Sequence, residues 1–266
     1  MKKNDRNSLA GRMKRYELVS KNSLVNRMPV ILRLDGVAFH QFTKGFQKPF
    51  DDVLMKSMKD TMKYLCENIQ GCVFGYTQSD EITLVLVDYQ NINSSPWFDN
   101  EVQKMCSVAS SMAGMFFART FAYNVLMSEL NEDDKLFKVY NNAINRGAYF
   151  DCRAFNVPQS DVCNCVLWRQ QDATRNSIQA LAQANFSQKQ LHGLSCDKLQ
   201  DKLFVEKGIN WNNLSTDKKR GSACIKQKYS FTNQHGEETI RTRWIVDDDM
   251  PILTQNRDYI EKLVIF

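Results

Sequence analysis

Two short apolar runs, each ending at an aspartate and separated by one amphipathic stretch, constrain this chain more than any other feature. Met28-Pro-Val-Ile-Leu-Arg-Leu34 leads into Asp35-Gly36, and Cys72-Val-Phe-Gly-Tyr76 leads into Thr77-Gln-Ser-Asp-Glu81. An apolar run of this length bounded by turn residues reads as a buried strand. Between them Val53, Leu54, Met58, Met62 and Leu65 recur at helical spacing, predicting a helix over 51–69 that stops at Gly71. A helical crossover sets the two strands it joins running the same way, so their C-terminal ends share one edge. Asp35 and Asp80 are therefore expected at a common rim although they lie far apart in sequence. Mg²⁺ takes hard oxygen ligands, usually one or two carboxylates completed by phosphates and water. A magnesium–nucleotide site fits that pair.

The pattern continues with a strand over 82–87, which makes Thr77–Glu81 a hairpin turn. A helix is predicted over 101–126, rich in small residues that permit close packing, and then a strand over 148–157. Strand, helix, strand, strand, helix, strand is the βαββαβ order of a ferredoxin-like α+β core. Beyond it Ser160 is the expected N-cap of a helix through Leu167, Trp168, Ile178 and Leu181. Trp168, on an apolar helical face, is read as core. A shorter helix is expected over 195–206, a loop with a basic tip over 211–221, and a hairpin from 221–231 and 239–246 around Asn233–Gly236. No linker separates residues 1–157 from 158–266, so the helical and hairpin extension is expected to pack on the core as one unit.

Composition sets bounds rather than a function. Hydrophobic residues at 43% and charged residues at 24% match an ordinary globular protein, and the net charge of +5 permits a polyanionic partner without demanding one. The eight cysteines follow no disulfide or zinc spacing and are expected to be free thiols. Met1–Arg6 carries no apolar stretch and no run approaches the roughly 20 apolar residues of a membrane span. The cytoplasm is the expected location, with no membrane partner.

Taken together, these motifs resemble the tRNA-His guanylyltransferase superfamily, polymerases that extend RNA in the 3′-to-5′ direction. The resemblance rests on Arg33-Leu-Asp-Gly36 with Phe39-His40, Phe46-Gln-Lys-Pro49 with Asp51, and Gly75–Glu81. It continues through Leu167-Trp-Arg-Gln-Gln-Asp172, Gly208–Asn213 and Lys219-Arg-Gly221. One block departs. Where the guanylyltransferases proper carry His-x-Asn-Asn, this chain reads Thr174-Arg-Asn-Ser177, which places it with the Thg1-like branch. The resemblance implies a polymerase palm-type core, two or more Mg²⁺ ions, ATP, GTP and other triphosphates as substrates, tRNA as partner, and a homotetramer built as a dimer of dimers. It favours templated repair of truncated tRNA 5′ ends over addition of the extra G to tRNA-His. A nucleotide cyclase and a tRNA-binding protein without activity are the other classes weighed.

Within that frame Asp35 and Asp80 are assigned as metal ligands, with the Gly36 carbonyl as a third oxygen. Gly36, Val37, Ala38, Phe39 and His40 are expected to cradle a triphosphate with Ser79, and Lys44 and Lys48 to reach phosphate oxygens. Asp51 is either a nucleotide contact or the N-cap of the first helix. Glu81 is a catalytic candidate whose side chain is expected to point to the face opposite Asp80. Arg169, Arg175 and Asn176, with Asp172, form either a solvated ion-pair face or a surface for the RNA 5′ end. Lys218, Lys219 and Arg220 are candidates for tRNA backbone contacts, and Arg153 for the activated 5′ end.

Overall fold

The computed structural model describes residues 8–232 and 238–266. In chain order the elements are α1 (Leu9–Val19), β1 (Val30–Gly36), α2 (Phe39–Phe42), α3 (Asp52–Asn68), β2 (Cys72–Gln78), β3 (Glu81–Leu86), α4 (Val102–Leu126) and α5 (Lys135–Arg146). They continue with β4 (Phe150–Asn156), α6 (Val162–Asn185), α7 (Gln188–Leu191), α8 (Cys196–Lys207), α9 (Thr216–Arg220), β5 (Ser222–Thr232), β6 (Glu238–Asp247) and α10 (Asp258–Glu261). The strands form one antiparallel sheet in the order β4-β1-β3-β2-β5-β6. β3 lies between β1 and β2 and runs against both, so β1 and β2 point the same way and end at the same rim.

The apolar run of β1 is nearly continuous because both sheet faces are covered. Val30, Leu32, Leu34, Ile82, Leu84 and Leu86 pack on one face with Met58, Met62 and Leu65 of α3 and Ala109, Ala113, Phe117 and Phe121 of α4. Ile31, Phe74, Tyr76 and Val85 pack on the other with Val162, Cys163, Val166 and Ala173 of α6 and with Met250, Leu253 and Ile260 near the C-terminus. The far half of α6 joins α8 and Trp211 in a smaller cluster. Among the described residues no helix is long and apolar enough to cross a membrane.

Several local expectations are corrected. The β2–β3 turn is narrower than Thr77–Glu81: both strands extend inward until only Ser79 and Asp80 remain, because Gln78 and Glu81 already pair. Asp161, not Ser160, occupies the N-cap of α6, since residues 159–161 form a 3₁₀ turn first. The stretch 211–221 is not an open loop. It holds a 3₁₀ turn at Trp211–Asn213 and α9. Trp168 is not core but 51% exposed. α1 and α5 are additional helices that periodicity did not flag. The first hairpin strand is shifted by one residue from its expected 221–231, the second extends one residue further at each end than 239–246, and their connection at Asn233–Gly236 lies outside the described residues.

Candidate active site

At the common rim the Gly36 N–H donates to the Asp80 carbonyl at 3.1 Å. The strand-end loop of β1 and the β2–β3 turn are thus joined directly, and the two aspartates come together from separate elements. Burial pushes the Asp80 carboxyl above its ordinary range and the charge of Asp35 pushes further, against hydrogen bonds to the backbone and to the Ser79 hydroxyl. Ser79 Oγ donates to Asp80 Oδ1 at 3.0 Å. Ser79 sits at φ +50°, in the left-handed region that costs a non-glycine residue about 1–2 kcal/mol. Backbone strain of this kind persists only where the surroundings hold it, and it gathers at functional sites.

The Gly36 position is also set by contact. A Cβ there would meet the Phe39 ring at 2.2 Å, so the loop turns under a phenyl ring that only glycine admits. The segment after Gly36 separates two kinds of residue by spacing. Phe39, Phe42 and Phe46 point inward onto Phe117, Phe121, Tyr140 and Phe150, with neighbouring ring centroids 4.9–5.7 Å apart. His40, Lys44 and Lys48 remain exposed. The Gly36 and Val37 amides are taken, by Asp80 and Tyr149. The first-turn amides of α2, at Phe39 and His40, have no intrahelical acceptor by position.

Asp51 caps α3 and does more. Its Oδ1 accepts from the Leu54 amide at 2.9 Å, and its Oδ2 accepts from the Gln47 amide at 3.0 Å and the Tyr140 hydroxyl at 2.7 Å. Burial, then the hydrogen bond to Asp51, pushes the Tyr140 phenol well above its usual range. A cleft of about 190 Å³ opens beside it, bringing Asp51 and Ser79 together with Lys59, Asn176 and Lys218.

Glu81 lies directly opposite Asp35 in the β1–β3 register. Antiparallel partners share a face, and this face is the one α6 covers. Arg169, only 7% exposed, donates through Nε and Nη2 to the two Glu81 oxygens at 2.6 and 2.9 Å, and through Nη2 to Asp172 at 2.7 Å. Arg175 and Asn176 also donate to Asp172. The four residues of that helix face therefore form one hydrogen-bonded cluster, with the Arg169 charge spent on carboxylates. The Arg169 guanidinium carbon also lies 4.3 Å from the Trp168 ring centroid, and that of Arg33 5.5 Å.

Arg33 is a residue that motif reading left without a role. It is two positions before Asp35 and so shares its face, a signal present in strand alternation alone. Its Nε is buried without a hydrogen-bond partner among the described residues. Arg153 stands opposite Arg33 in the β1–β4 register, exposed and 3.7 Å from Asp151.

The basic segment 218–220 is held, not free. Lys218 pairs with Asp52 at 2.8 Å, Lys219 Nζ donates to the Asn212 carbonyl at 2.9 Å, and the Tyr76 hydroxyl donates to the Arg220 carbonyl at 2.5 Å. Below them Lys59 bridges Asp217 at 2.6 Å and Asp248 at 2.8 Å. Ser177, within the departing block, donates to the Lys218 carbonyl at 2.7 Å and accepts from Trp211 Nε1 at 3.0 Å.

Comparison with known proteins adds the following. Residues 10–158 match the family model described as Thg1, tRNAHis guanylyltransferase. A bacterial tRNA(His) guanylyltransferase (Thg1)-like protein in complex with ATP is 41% identical with a TM-score of 0.82, covering 97% of this chain and 99% of that one. A bacterial Thg1-like protein in complex with GTP is 39% identical with a TM-score of 0.77, covering 98% and 100%. The tRNA(His) guanylyltransferase of Saccharomyces cerevisiae is 26% identical over 235 residues, 83% of this chain and 91% of its own.

Proposed function

The chain belongs to the tRNAHis guanylyltransferase (Thg1) family and is a nucleotidyltransferase, and from that premise we propose that it rebuilds truncated tRNA 5′ ends by templated 3′-to-5′ addition. The observation that carries the reading is the joining of the Asp35 and Asp80 loops at one rim through the Gly36–Asp80 hydrogen bond. We read β4-β1-β3-β2, backed by α3 and α4, as a ferredoxin-like, palm-type catalytic core. Its strand order and antiparallel pairing support that label.

The donor set fits Mg²⁺. Asp35 and Asp80 offer hard oxygens side by side, and neither is ion-paired with a lysine or arginine among the described residues. In this reading Asp35, Asp80 and the Gly36 carbonyl hold two or more ions. When bound, such ions neutralise phosphate charge and polarise the attacking and leaving oxygens. The protein's own work is positioning, which dominates catalysis in phosphoryl transfer. Amides at the start of α2 and the Ser79 hydroxyl bind the triphosphate, and His40, Lys44 and Lys48 line its approach. Arg169 orients Glu81 rather than RNA. Arg175, Asn176, Lys218, Lys219, Arg220 and Arg153 form the rim facing the tRNA.

Two in-line steps follow. An oxygen of the RNA 5′-monophosphate attacks the α-phosphorus of ATP or GTP, releasing pyrophosphate and leaving a 5′–5′ linkage. The 3′-hydroxyl of the incoming triphosphate then attacks the RNA 5′-phosphorus and expels the nucleoside monophosphate. The Thr174–Ser177 block favours repair over tRNA-His-specific G addition. Thr174 is bonded to the Gln170 carbonyl and Ser177 to Lys218 and Trp211, so both are tied into the fold.

The test is incubation with 5′-truncated tRNAs, Mg²⁺, ATP and the four triphosphates, beside tRNA-His lacking its extra G. Stepwise lengthening that stops at the paired end is expected, and Asp80→Ala should abolish it. Addition confined to tRNA-His would instead establish the guanylyltransferase reading. Sedimentation of the same protein tests the expected homotetramer.

A further inference from the structure

β5 and β6 pair from Ala223 with Asp247 to Thr232 with Glu238, whereas β5 contacts β2 only from Cys224 with Gly75 to Ser222 with Thr77. The outer part is therefore a two-stranded ribbon clear of the sheet, roughly 25 Å long at about 3.3 Å per residue. Lys226, Lys228, Arg241 and Arg243 all lie on it, and all are exposed. None is ion-paired with a carboxylate among the described residues.

Three of these cations are held over aromatic rings. The Arg241 guanidinium lies 3.6 Å from the Phe231 centroid, Arg243 lies 5.3 Å from Tyr229, and the Lys226 ammonium lies 5.1 Å from Trp244. Arg243 also donates to Gln227 Oε1. Stacking fixes the plane of a guanidinium while leaving N–H edges free for in-plane acceptors. In the register each cation stands opposite a neutral residue, Lys226 opposite Trp244 and Lys228 opposite Thr242 on one ribbon face, Arg241 opposite Tyr229 and Arg243 opposite Gln227 on the other, so no cross-strand acid balances them. Four cations with a single acid, Glu238, on the described outer ribbon call for a polyanion.

We propose that the β5–β6 ribbon is an RNA-binding arm that grips the phosphodiester backbone of the substrate RNA. It rests on the reading of the chain as a tRNA-extending enzyme and names a contact surface for that substrate. The ribbon is rooted at Ser222, opposite Thr77 and beside the Ser79–Asp80 turn. It runs away from that rim, so it holds RNA at points up to roughly 30 Å from the reacting 5′-phosphate.

The test compares the full chain with the quadruple variant Lys226→Gln, Lys228→Gln, Arg241→Gln and Arg243→Gln. Affinity for a 5′-truncated tRNA transcript and for a plain RNA duplex is measured across a salt series. The variant should bind both RNAs at least tenfold more weakly at low salt. Its log–log salt slope should be shallower by about three, since each lost phosphate contact removes about 0.7–0.9. Affinity for ATP should be unchanged, which also reports an intact fold. A control variant neutralises the exposed Lys138, Lys189, Lys198 and Lys262 instead. Equal losses in control and ribbon variants overturn the proposal, as does an unchanged slope. A change of oligomeric mass with RNA affinity retained overturns it in favour of a contact between copies of the chain. The readout needs no turnover, so a protein that binds RNA through the ribbon yet does not lengthen tRNA defeats the assigned reaction and leaves the arm standing.

Discussion

At the scale of single residues, the candidate site combines a strained backbone position with positions that support it. Ser79 holds a left-handed backbone conformation that glycine adopts freely, yet only serine offers the hydroxyl that meets Asp80. Ser79→Gly is therefore expected to stabilise the fold by about 1 kcal/mol while raising the KM for ATP. Thermal melts and initial rates read the two effects separately, and a loss of both would refute the strain argument. Arg169 makes the opposite case. Its guanidinium satisfies the buried Glu81 carboxylate, and burial, the leading influence on Glu81, still leaves that group raised above its ordinary range. Arg169→Met leaves an unpaired buried acid and should cost about 3–5 kcal/mol. Adding Glu81→Leu should restore most of it in denaturant titrations. That Asp35 and Asp80 share one rim was legible because strand ends are legible. The Arg33–Trp168–Arg169 stack was not, because it depends on the rotational phase of α6 against the sheet, which periodicity does not fix to one residue.

At the scale of elements, the segment after β1 is held by its inward-facing aromatics together with hydrogen bonds along its length, among them the Val37 amide to the Tyr149 carbonyl and the Thr43 amide to the Phe39 carbonyl. Phe42 touches Phe39, Phe46, Phe117 and Phe121. Phe42→Ala should destabilise by about 3–5 kcal/mol, the range for a buried aromatic truncated to alanine. It should also weaken ATP binding, because His40, Lys44 and Lys48 lose their shared support. Isothermal titration checks the binding, and an unchanged Kd would separate the segment from the nucleotide. The long elements α3 and β1 to β3 followed from apolar runs and spacing because packing and propensity agree there, whereas the largely exposed β5 and β6 followed from the turn residues between them. α9 did not. Its Ser-Thr-Asp-Lys-Lys-Arg sequence has the composition of a loop, and its helical form depends on partners distant in sequence: Lys59 on Asp217, Ser177 on the Lys218 carbonyl and Tyr76 on the Arg220 carbonyl. Gly221 closes it at φ +81°, where a Cβ would meet the Thr77 carbonyl oxygen at 2.4 Å.

At the scale of the whole molecule, the chain from Val162 onward covers the second sheet face and adds two strands to the sheet itself, so core and extension share one interior. Lys59 joins them through ion pairs, reaching from α3 to Asp217 before β5 and to Asp248 after β6. Burial alone would raise the Asp217 carboxyl, but hydrogen bonds from Lys59 and Ser215 outweigh it and the group is depressed below its ordinary 3.8. Burial likewise opposes the Lys59 charge, and the two aspartates reverse that and raise it above 10.5. The signs follow directly. A depressed carboxyl contributes stability that is present above its unfolded pKa and is lost as pH falls through the lower folded value. A raised ammonium contributes stability that is present below its unfolded pKa and is lost as pH rises through the higher folded value. The bridge is therefore intact across the whole neutral range and fails only below about pH 4 and above about pH 10. Lys59→Met should cost about 1.5–3 kcal/mol at pH 7, as for hydrogen bonds to charged groups. The gap between wild type and variant should stay flat from pH 5 to 9 and narrow in acid. Urea titrations across pH measure it, and a gap that peaks in acid would show that the bridge is not what joins the two halves.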